Sequence, residues 1–582
     1  MRRWYEENED RLNAELAALN DGPFAFELDD DYQRRTGLIL LRGTYKRPNG
    51  EALELEVVYP DSFPFLRPEV FARTITFERH HHPYRGNLCL LDASTRHWDP
   101  TWTAADLIAK QGEKLLALLD AGDEAAMRDA ETPQGEPATR YFVGPPGAVV
   151  FVPEQVLAAN PEYRSGIIRF AIGDPEDGAA PLRACVKSLE LEKRGGAEVV
   201  AAIGDDLSRR FGRTILAGTW VRLEALPSGG KATAEALLAA ARATPGYRQA
   251  QWQQGVGGRL RLTALVTREE VRQGEYEDGW LVVVEQEAGG KRDRDRSSYV
   301  APGQRLTLAD LTARIPSLAG MNAKTVALAG LGAIGGPIAL ELGRAQVGEL
   351  RALDQDYAET GTSVRWPLGI TAAAQPKVDA ISDMVAAGWP FTTAKRYEQR
   401  IGYVPGPDEE PSLPEHRVVT EFLEGADLLI DATAEEGVQY LLSRLADSAG
   451  VPQVYASSTP GGWGGLVARV VPGETGCWYC LQLRLTDKTI EPPPMSPDGF
   501  SQPRGCMSPA WTGSSFDGLP VVAQAVRIAA GTLLHGRRKE NAYDVFVLNQ
   551  AGEDNLHIAP QWTSYALEPH PKCPYCSDAD DA

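Results

Sequence analysis

The sequence predicts a multidomain protein of mixed class, an α+β module followed by α/β modules. Three observations carry that reading. At 582 residues the chain exceeds what one hydrophobic core organises. An acidic, Pro- and Gly-bearing stretch over 121–140 has linker composition and separates a first module from the rest. After residue 319, buried-strand runs such as KTVALAG and DLLIDAT alternate with helical stretches, the pattern of a parallel, doubly wound sheet.

The first module is placed at 1–125. A polar amphipathic helix over 3–20 precedes the strand-like runs FAFEL, TGLILLRGTY and LELEVVY. Pro-rich turns follow, then a helix from Thr103 to about Leu119, where Thr103 and Asp106 form a capping box with Asp in place of the usual Glu or Gln. The linker is placed at 126–140. The middle domain, 141–318, reads as mixed α/β, with strand-like GAVVFV, GIIRFAI and WLVVVEQ and two helix-like stretches. EAGGKRDRDRSS reads there as a solvated loop and Cys185 as a buried structural cysteine. No catalytic motif marks this domain. The third domain is placed at 319–582.

Hydrophobic residues at 43% and charged residues at 24% are ordinary for a soluble protein. A formal net charge of -21 argues against nucleic acid and anionic membranes as partners. No apolar run approaches the roughly 18–20 residues that cross a bilayer, and the N-terminus has no signal-peptide core. The 7 cysteines are too few for a disulfide scaffold. These features together predict a cytoplasmic protein.

Gly330-Leu331-Gly332-Ala333-Ile334-Gly335 directly follows a strand and opens a helix, so backbone can approach a phosphate at a helix N-terminus. Asp354 ends the next strand, in reach of a ribose hydroxyl. On the glycines alone, an NAD-dependent dehydrogenase and an ATP enzyme remain open. The flanks favour ATP. Asp356, Arg365 and Lys377 follow, and two cations suit a triphosphate attacked at its α-phosphorus, where charge builds on departing pyrophosphate.

Cys477 and Cys480, with Cys573 and Cys576, form two C-x2-C pairs. Four thiolates close a tetrahedral Zn2+ shell with no open position, so the reading is structural zinc clipping the C-terminal tail back to its sheet. Cys506 lies outside this set, in a Pro/Gly/Ser-rich stretch, with Arg504 nearby to favour the thiolate.

With these residues in place, 319–582 resembles the Rossmann-like adenylation domain of the E1, or ThiF, ubiquitin-activating superfamily. The match comprises the glycine turn, Asp354-x-Asp356, Arg365, Lys377 and Asp427-Leu-Leu-Ile-Asp431-Ala-Thr. The resemblance implies ATP with Mg2+, Asp354 on the ribose, and Arg365 and Lys377 on the phosphates. It also implies a crossover loop at about 484–512 whose Cys506 attacks the acyl-adenylate, and a homodimer to which Arg314 contributes. Thr362 stands where the family has Asn. Ala434 stands where it has a magnesium-ligating Asp, with Glu435 or Glu436 as possible replacements.

The first module is similar to ubiquitin-conjugating E2 enzymes. VVYPDSFPFLRPEVF is followed by His82-Pro83-Tyr84, Cys89, Trp98-Asp99-Pro100 and the Thr103 helix, in the family's order. The resemblance implies that Cys89 carries a thioester, which explains a lone cysteine on a loop. Tyr84 replaces the family's Asn; its hydroxyl, the Asn87 side chain or a backbone N–H are the candidate substitutes, with Asp92 a candidate to orient the amine. The adjacent histidines at 80–82 read as structural.

E2-like and E1-like modules on one chain resemble the bacterial fusion ligases of antiphage signalling operons. That implies activation of a ubiquitin-like modifier or another polypeptide C-terminus, transfer from Cys506 to Cys89, and conjugation to a target lysine. Two other classes stay open: a sulfur-carrier adenylyltransferase for cofactor synthesis, and a non-catalytic scaffold.

Overall fold

The structure is a computed structural model. It describes all residues except 1–2, 22–23, 47–51, 75–80, 91–96, 113–134, 136, 153–156, 158–162, 174–180, 194–195, 202–213, 228–232, 256–257, 273, 289–294, 405–414, 503–509, 538–542, 554–555 and 577–582. The chain divides into two compact units, Met1–Thr307 and Leu308–Ala582. Residues 308–318, read from sequence as the end of the middle domain, thus group with the second unit.

The first unit opens on two helices, Trp4–Glu7 and Glu9–Asn20, rather than one continuous helix. Asn8 breaks the run because its side chain accepts from the Arg11 N–H and caps the second helix. An antiparallel meander follows, in the order Phe24–Leu28, Ile39–Lys46, Ala52–Tyr59, Glu69–Phe71. Period-2 alternation turns Leu53, Leu55, Val57 and Tyr59 inward, onto Leu19, Trp98 and Leu107. The Thr103–Asp106 capping box is present, on a helix Ala104–Leu107 continued by a π-helical turn, Ile108–Gly112.

Glu15 bolts these layers together. It is fully buried, accepts from the Tyr59 hydroxyl at 2.9 Å and the Ala104 N–H at 2.8 Å, and pairs with Arg11 at 2.9 Å. Burial still raises its pKa.

The rest of the first unit is built on a nine-stranded sheet. Its path runs Gly258–Arg272, Glu275–Ala288, Asp295–Arg305, Val149–Val152, Arg183–Lys193, Ser165–Ile172, Thr214–Leu223. The last strand then pairs in parallel with the first, so the path closes as a barrel. The supposed solvated loop is partly strand, since 295–298 pair with Glu285–Ala288. Inside lie Phe170, Trp220, Leu262 and Val282. Helix Ala234–Ala243 covers an outer face built from Val221, Leu223, Leu281, Val283 and Phe142. Cys185 is buried in a barrel strand, and desolvation pushes its thiol to about 12, as a structural cysteine requires.

The second unit holds an eight-stranded sheet, in the order Thr393–Glu398, Glu349–Asp354, Thr325–Ala329, Leu428–Asp431, Gln453–Ser458, Gly464–Val470, Val545–Ala551, His557–Tyr565. The first five strands are parallel, in the order 3-2-1-4-5, and the last three antiparallel. Both faces are covered. Val326, Leu328 and Ile430 pack on Ile338, Ile381 and Ala525, while Ala327, Leu353 and Leu429 pack on Phe422 and Leu442. Such strands read as continuous apolar runs because each face meets a helix.

Candidate functional site

Strand order reverses between Thr325–Ala329 and Leu428–Asp431. Chain leaves both strands at their carboxyl ends there, opening the crevice in which doubly wound sheets bind ligands. The glycine turn occupies it. Gly330 has φ +82°, and a Cβ there would lie 2.7 Å from the Ala432 carbonyl carbon. At Gly335 a Cβ would lie 1.7 Å from the Gly330 oxygen, so only glycine lets the turn close into helix Gly335–Arg344. Gly332 is different: a Cβ would meet nothing within 4 Å. Its open side is the face on which a phosphate can approach the backbone.

Asp354 fixes this turn. Its Oδ2 accepts from the Leu331 N–H at 2.6 Å and its Oδ1 from the Asp356 N–H at 2.8 Å. Desolvation nonetheless raises its pKa. Trp366 makes a second tie, donating from Nε1 to the Leu331 carbonyl at 2.7 Å. Lys377 begins helix Lys377–Gly388, and its ammonium rests 2.8 Å from the Asp356 carboxylate. Asp356 and Lys377 are thus one ion pair rather than two independent groups.

Arg365 is half-buried, and that burial lowers its pKa, though a guanidinium stays charged. Among the described residues no carboxylate pairs with it; its Nη1 donates to the Trp511 carbonyl. Trp511 and Trp366 carry no motif of their own, and sequence reading missed both as site residues.

In the sequence Asp431 belongs to the run Asp427-Leu-Leu-Ile-Asp431, which assigns it no role of its own. It is fully buried, accepts from the Thr433 N–H at 3.0 Å and hydroxyl at 2.7 Å, and is pushed by desolvation to about 6. Its Oδ2 has no hydrogen-bond partner among the described residues. Ala434 follows at φ +55°, and Glu435 and Glu436 stand exposed beyond it.

In the first unit, Cys89 is exposed at the end of a short ladder. Asn87 bridges to Phe71 and Leu88 to His81, and the Leu88 N–H donates to the Val70 carbonyl at 2.7 Å. Cys89, Asn87, Arg67 and Leu107 line a cavity of about 40 Å³. The Asn87 Oδ1 is buried and has no hydrogen-bond partner among the described residues.

Tyr84 does not fill the role considered for it. Its hydroxyl donates to the Pro227 carbonyl at 2.6 Å, on the barrel side, and so is already committed. His81 and His82 are structural: the His81 Nε2 lies 2.9 Å from the Ala72 carbonyl, and the His82 Nδ1 accepts from the Tyr84 and Arg85 N–H groups. His80, Asp92, Arg504 and Cys506 lie outside the described residues.

Cys477, Cys480, Cys573 and Cys576 converge, their sulfurs all within 4.8 Å of one another. The Cys477 Sγ is 3.9 Å from Cys480 and 3.6 Å from Cys573. Tetrahedral zinc with Zn–S near 2.3 Å spaces its sulfurs about 3.8 Å apart, so the cluster fits that ion. The His570 N–H donates to the Cys480 Sγ at 3.2 Å. Hydrogen bonds from Cys477 and His570 favour the Cys480 thiolate, the form a metal needs. The tail is tied as expected: the Gly476 N–H donates to the Leu567 carbonyl at 2.7 Å, and Arg484 donates to the Glu568 and Pro569 carbonyls.

Residues 312–536 match the ThiF family. A solved structure of E. coli MccB with MccA-N7isoASN is 14% identical, with a TM-score of 0.33, covering 45% of this chain and 69% of that one. Two proteins of Sinorhizobium fredii (strain NBRC 101917 / NGR234) align over nearly the whole length. Uncharacterized protein y4qC is 28% identical over 97% of this chain and 96% of its own. Uncharacterized protein y4oA is 30% identical over 93% of this chain and 92% of its own. An alignment that spans both units at that identity makes the chain a member of the y4oA family, one that carries a ThiF-family domain in its second unit.

Proposed function

We propose that the second unit uses ATP with Mg2+ to adenylate the C-terminal carboxylate of a polypeptide, and that the acyl group passes through Cys506 to Cys89 and on to a lysine. The observation that carries this reading is the glycine turn at the switch point, open at Gly332, with Lys377–Asp356 and Arg365 among the elements that follow it.

In the first step a carboxylate oxygen bonds to the α-phosphorus and the α–β phosphoanhydride bond breaks, releasing pyrophosphate. The glycine-turn N–H groups, Arg365 and Lys377 offset the charge that builds there. The Cys506 thiolate then bonds to the acyl carbon and AMP leaves. The Cys89 thiolate displaces the Cys506 thiolate. Finally a lysine amine bonds to the acyl carbon, loses a proton and frees the Cys89 thiolate. The exposure of Cys89 supports its part, and Asn87, whose Nδ2 can donate to the developing oxyanion, is the side chain we assign to the transferring acyl group. The four-cysteine cluster holds structural Zn2+, and the adenylating unit pairs as a homodimer.

The substrate class follows from the resemblance to fusion ligases of antiphage operons: a ubiquitin-like modifier or another polypeptide with a free C-terminus. Pyrophosphate exchange into ATP, run with polypeptides encoded beside this gene, tests the first step. Exchange that requires one of them, and falls in Arg365→Ala, supports it; nucleotide binding that prefers NAD overturns it.

A further inference from the structure

The turn before Cys89 is made self-sufficient by its own residues. The Gly86 N–H donates to the His82 carbonyl at 2.8 Å, and the His82 N–H to the Asn87 carbonyl at 2.9 Å. The His82 Nδ1 accepts the Tyr84 N–H at 3.2 Å and the Arg85 N–H at 3.1 Å. Burial lowers the His82 pKa, which keeps that nitrogen an acceptor. Gly86 takes φ +76°, which closes the turn. With the backbone satisfied, the Tyr84 side chain has no role inside the turn.

It is instead planted on the barrel. The Tyr84 ring meets Phe142 edge-on at 5.2 Å and packs against the cluster under helix Ala234–Ala243, with Leu226 and Tyr247 beside it. Its hydroxyl reaches the Pro227 carbonyl at 2.6 Å, 143 residues away in sequence. The His82 ring lies against Tyr141, tilted, with 4.6 Å between centroids, a second contact from the same turn to the same segment. From this tip the chain runs straight into the ladder of Asn87 and Leu88 that presents Cys89.

We infer that the barrel is a docking platform for the Cys89 loop and that Tyr84 is the positioning residue that plugs the loop into it. The barrel then has a task although it carries no catalytic motif: it sets the orientation of the thiol. The inference rests on reading Cys89 as the acyl acceptor only for its consequence in transfer; the docking itself is read directly at the thiol.

The test compares the full chain with Tyr84→Phe and Tyr84→Ala. It measures hydrogen exchange of the peptide spanning 81–90, the rate and pH profile of Cys89 alkylation by iodoacetamide, and the thermal midpoint. Losing the hydroxyl's bond alone is expected to speed exchange about fivefold in Tyr84→Phe. Losing the ring as well is expected to speed it more than about tenfold in Tyr84→Ala, with a changed alkylation rate and an unchanged thermal midpoint. Tyr84→Phe restoring alkylation toward the wild-type rate supports plugging by the ring. Exchange and alkylation equal to wild type in both variants overturn the inference, as does a change explained wholly by a lower thermal midpoint. Wild-type chain that exchanges and alkylates as expected yet never carries an acyl adduct on Cys89 sinks the relay and leaves the docking standing.

Discussion

The guanidinium of Arg365 lies over the Trp511 ring, 4.6 Å from its centroid, while donating to the same residue's carbonyl. Trp511 sits in a two-residue strand, Ala510–Trp511, that pairs with Phe500–Ser501 at the root of the segment containing Cys506. The cation assigned to the phosphates is therefore held by the base of the segment assigned to the acyl acceptor. A cation–π contact that is partly desolvated contributes about 1–2 kcal/mol. Trp511→Ala should weaken pyrophosphate exchange by about tenfold, and Trp511→Phe, which keeps a ring, by less than about threefold. Arg365→Ala should cost about 10²-fold or more in the same assay.

Asp431 makes the stability of the second unit depend on pH. Desolvation raises its pKa from 3.8 to about 6. The folded state thus binds a proton between those values that the unfolded chain does not, and stability falls as pH rises through that window. A rise of about 2 in pKa is worth on the order of 3 kcal/mol. The wild-type second unit should gain thermal stability between pH 7.5 and pH 5 relative to Asp431→Asn, whose side chain keeps an acceptor for Thr433 but carries no charge. Equal pH profiles for the two proteins would remove Asp431 as the source.

Asn87 predicts a separation of stability from transfer. An unpartnered buried oxygen contributes no hydrogen bond to folding, so Asn87→Ala should leave the thermal midpoint of the first unit within about 1 kcal/mol of wild type. Discharge of a Cys89 thioester onto free lysine should slow by about 10²-fold, while thioester formation stays near wild type. A variant that discharges normally would leave that task to backbone N–H groups.

The four cysteines predict one zinc per chain by elemental analysis. Cys573→Ser should lose the metal and several kcal/mol of apparent stability, on the scale of a structural site. It should also speed tryptic cleavage after Lys572, whose side chain is already exposed but whose backbone the cluster holds. An unchanged midpoint after chelation would show the thiols to be a reduced cluster without a metal.

Much of this was legible in the chain because the signals are local. The glycine turn needs φ +82° at Gly330 and a closed approach at Gly335, and nothing but glycine meets both. The Thr103 capping box and the two C-x2-C pairs declare themselves within a few residues. The barrel did not, because its closure pairs Thr214–Leu223 with Gly258–Arg272 across an intervening helix, and strand runs carry no record of their partners. Tyr84 reads from its place in the E2 order as one candidate for the oxyanion, and Arg365 from its charge and place after the glycine turn as a cation for the phosphates. Their partners, Pro227 and Trp511, lie 143 and 146 residues away, and only the fold names them. The N-terminal helix reads as continuous over 3–20 because amphipathic spacing runs through Asn8, where a side-chain cap wins over propensity and splits it in two.

The most direct test of the relay is the mass of the Cys89 peptide, measured without reductant on chain purified from cells that co-express its genomic neighbours. The account predicts a polypeptide joined there by a bond that thiols cleave, absent in Cys89→Ala, and absent from Cys89 in Cys506→Ala. A Cys89 adduct that persists without Cys506, or a Cys89 that stays unmodified while the chain consumes ATP with the same neighbours, contradicts it.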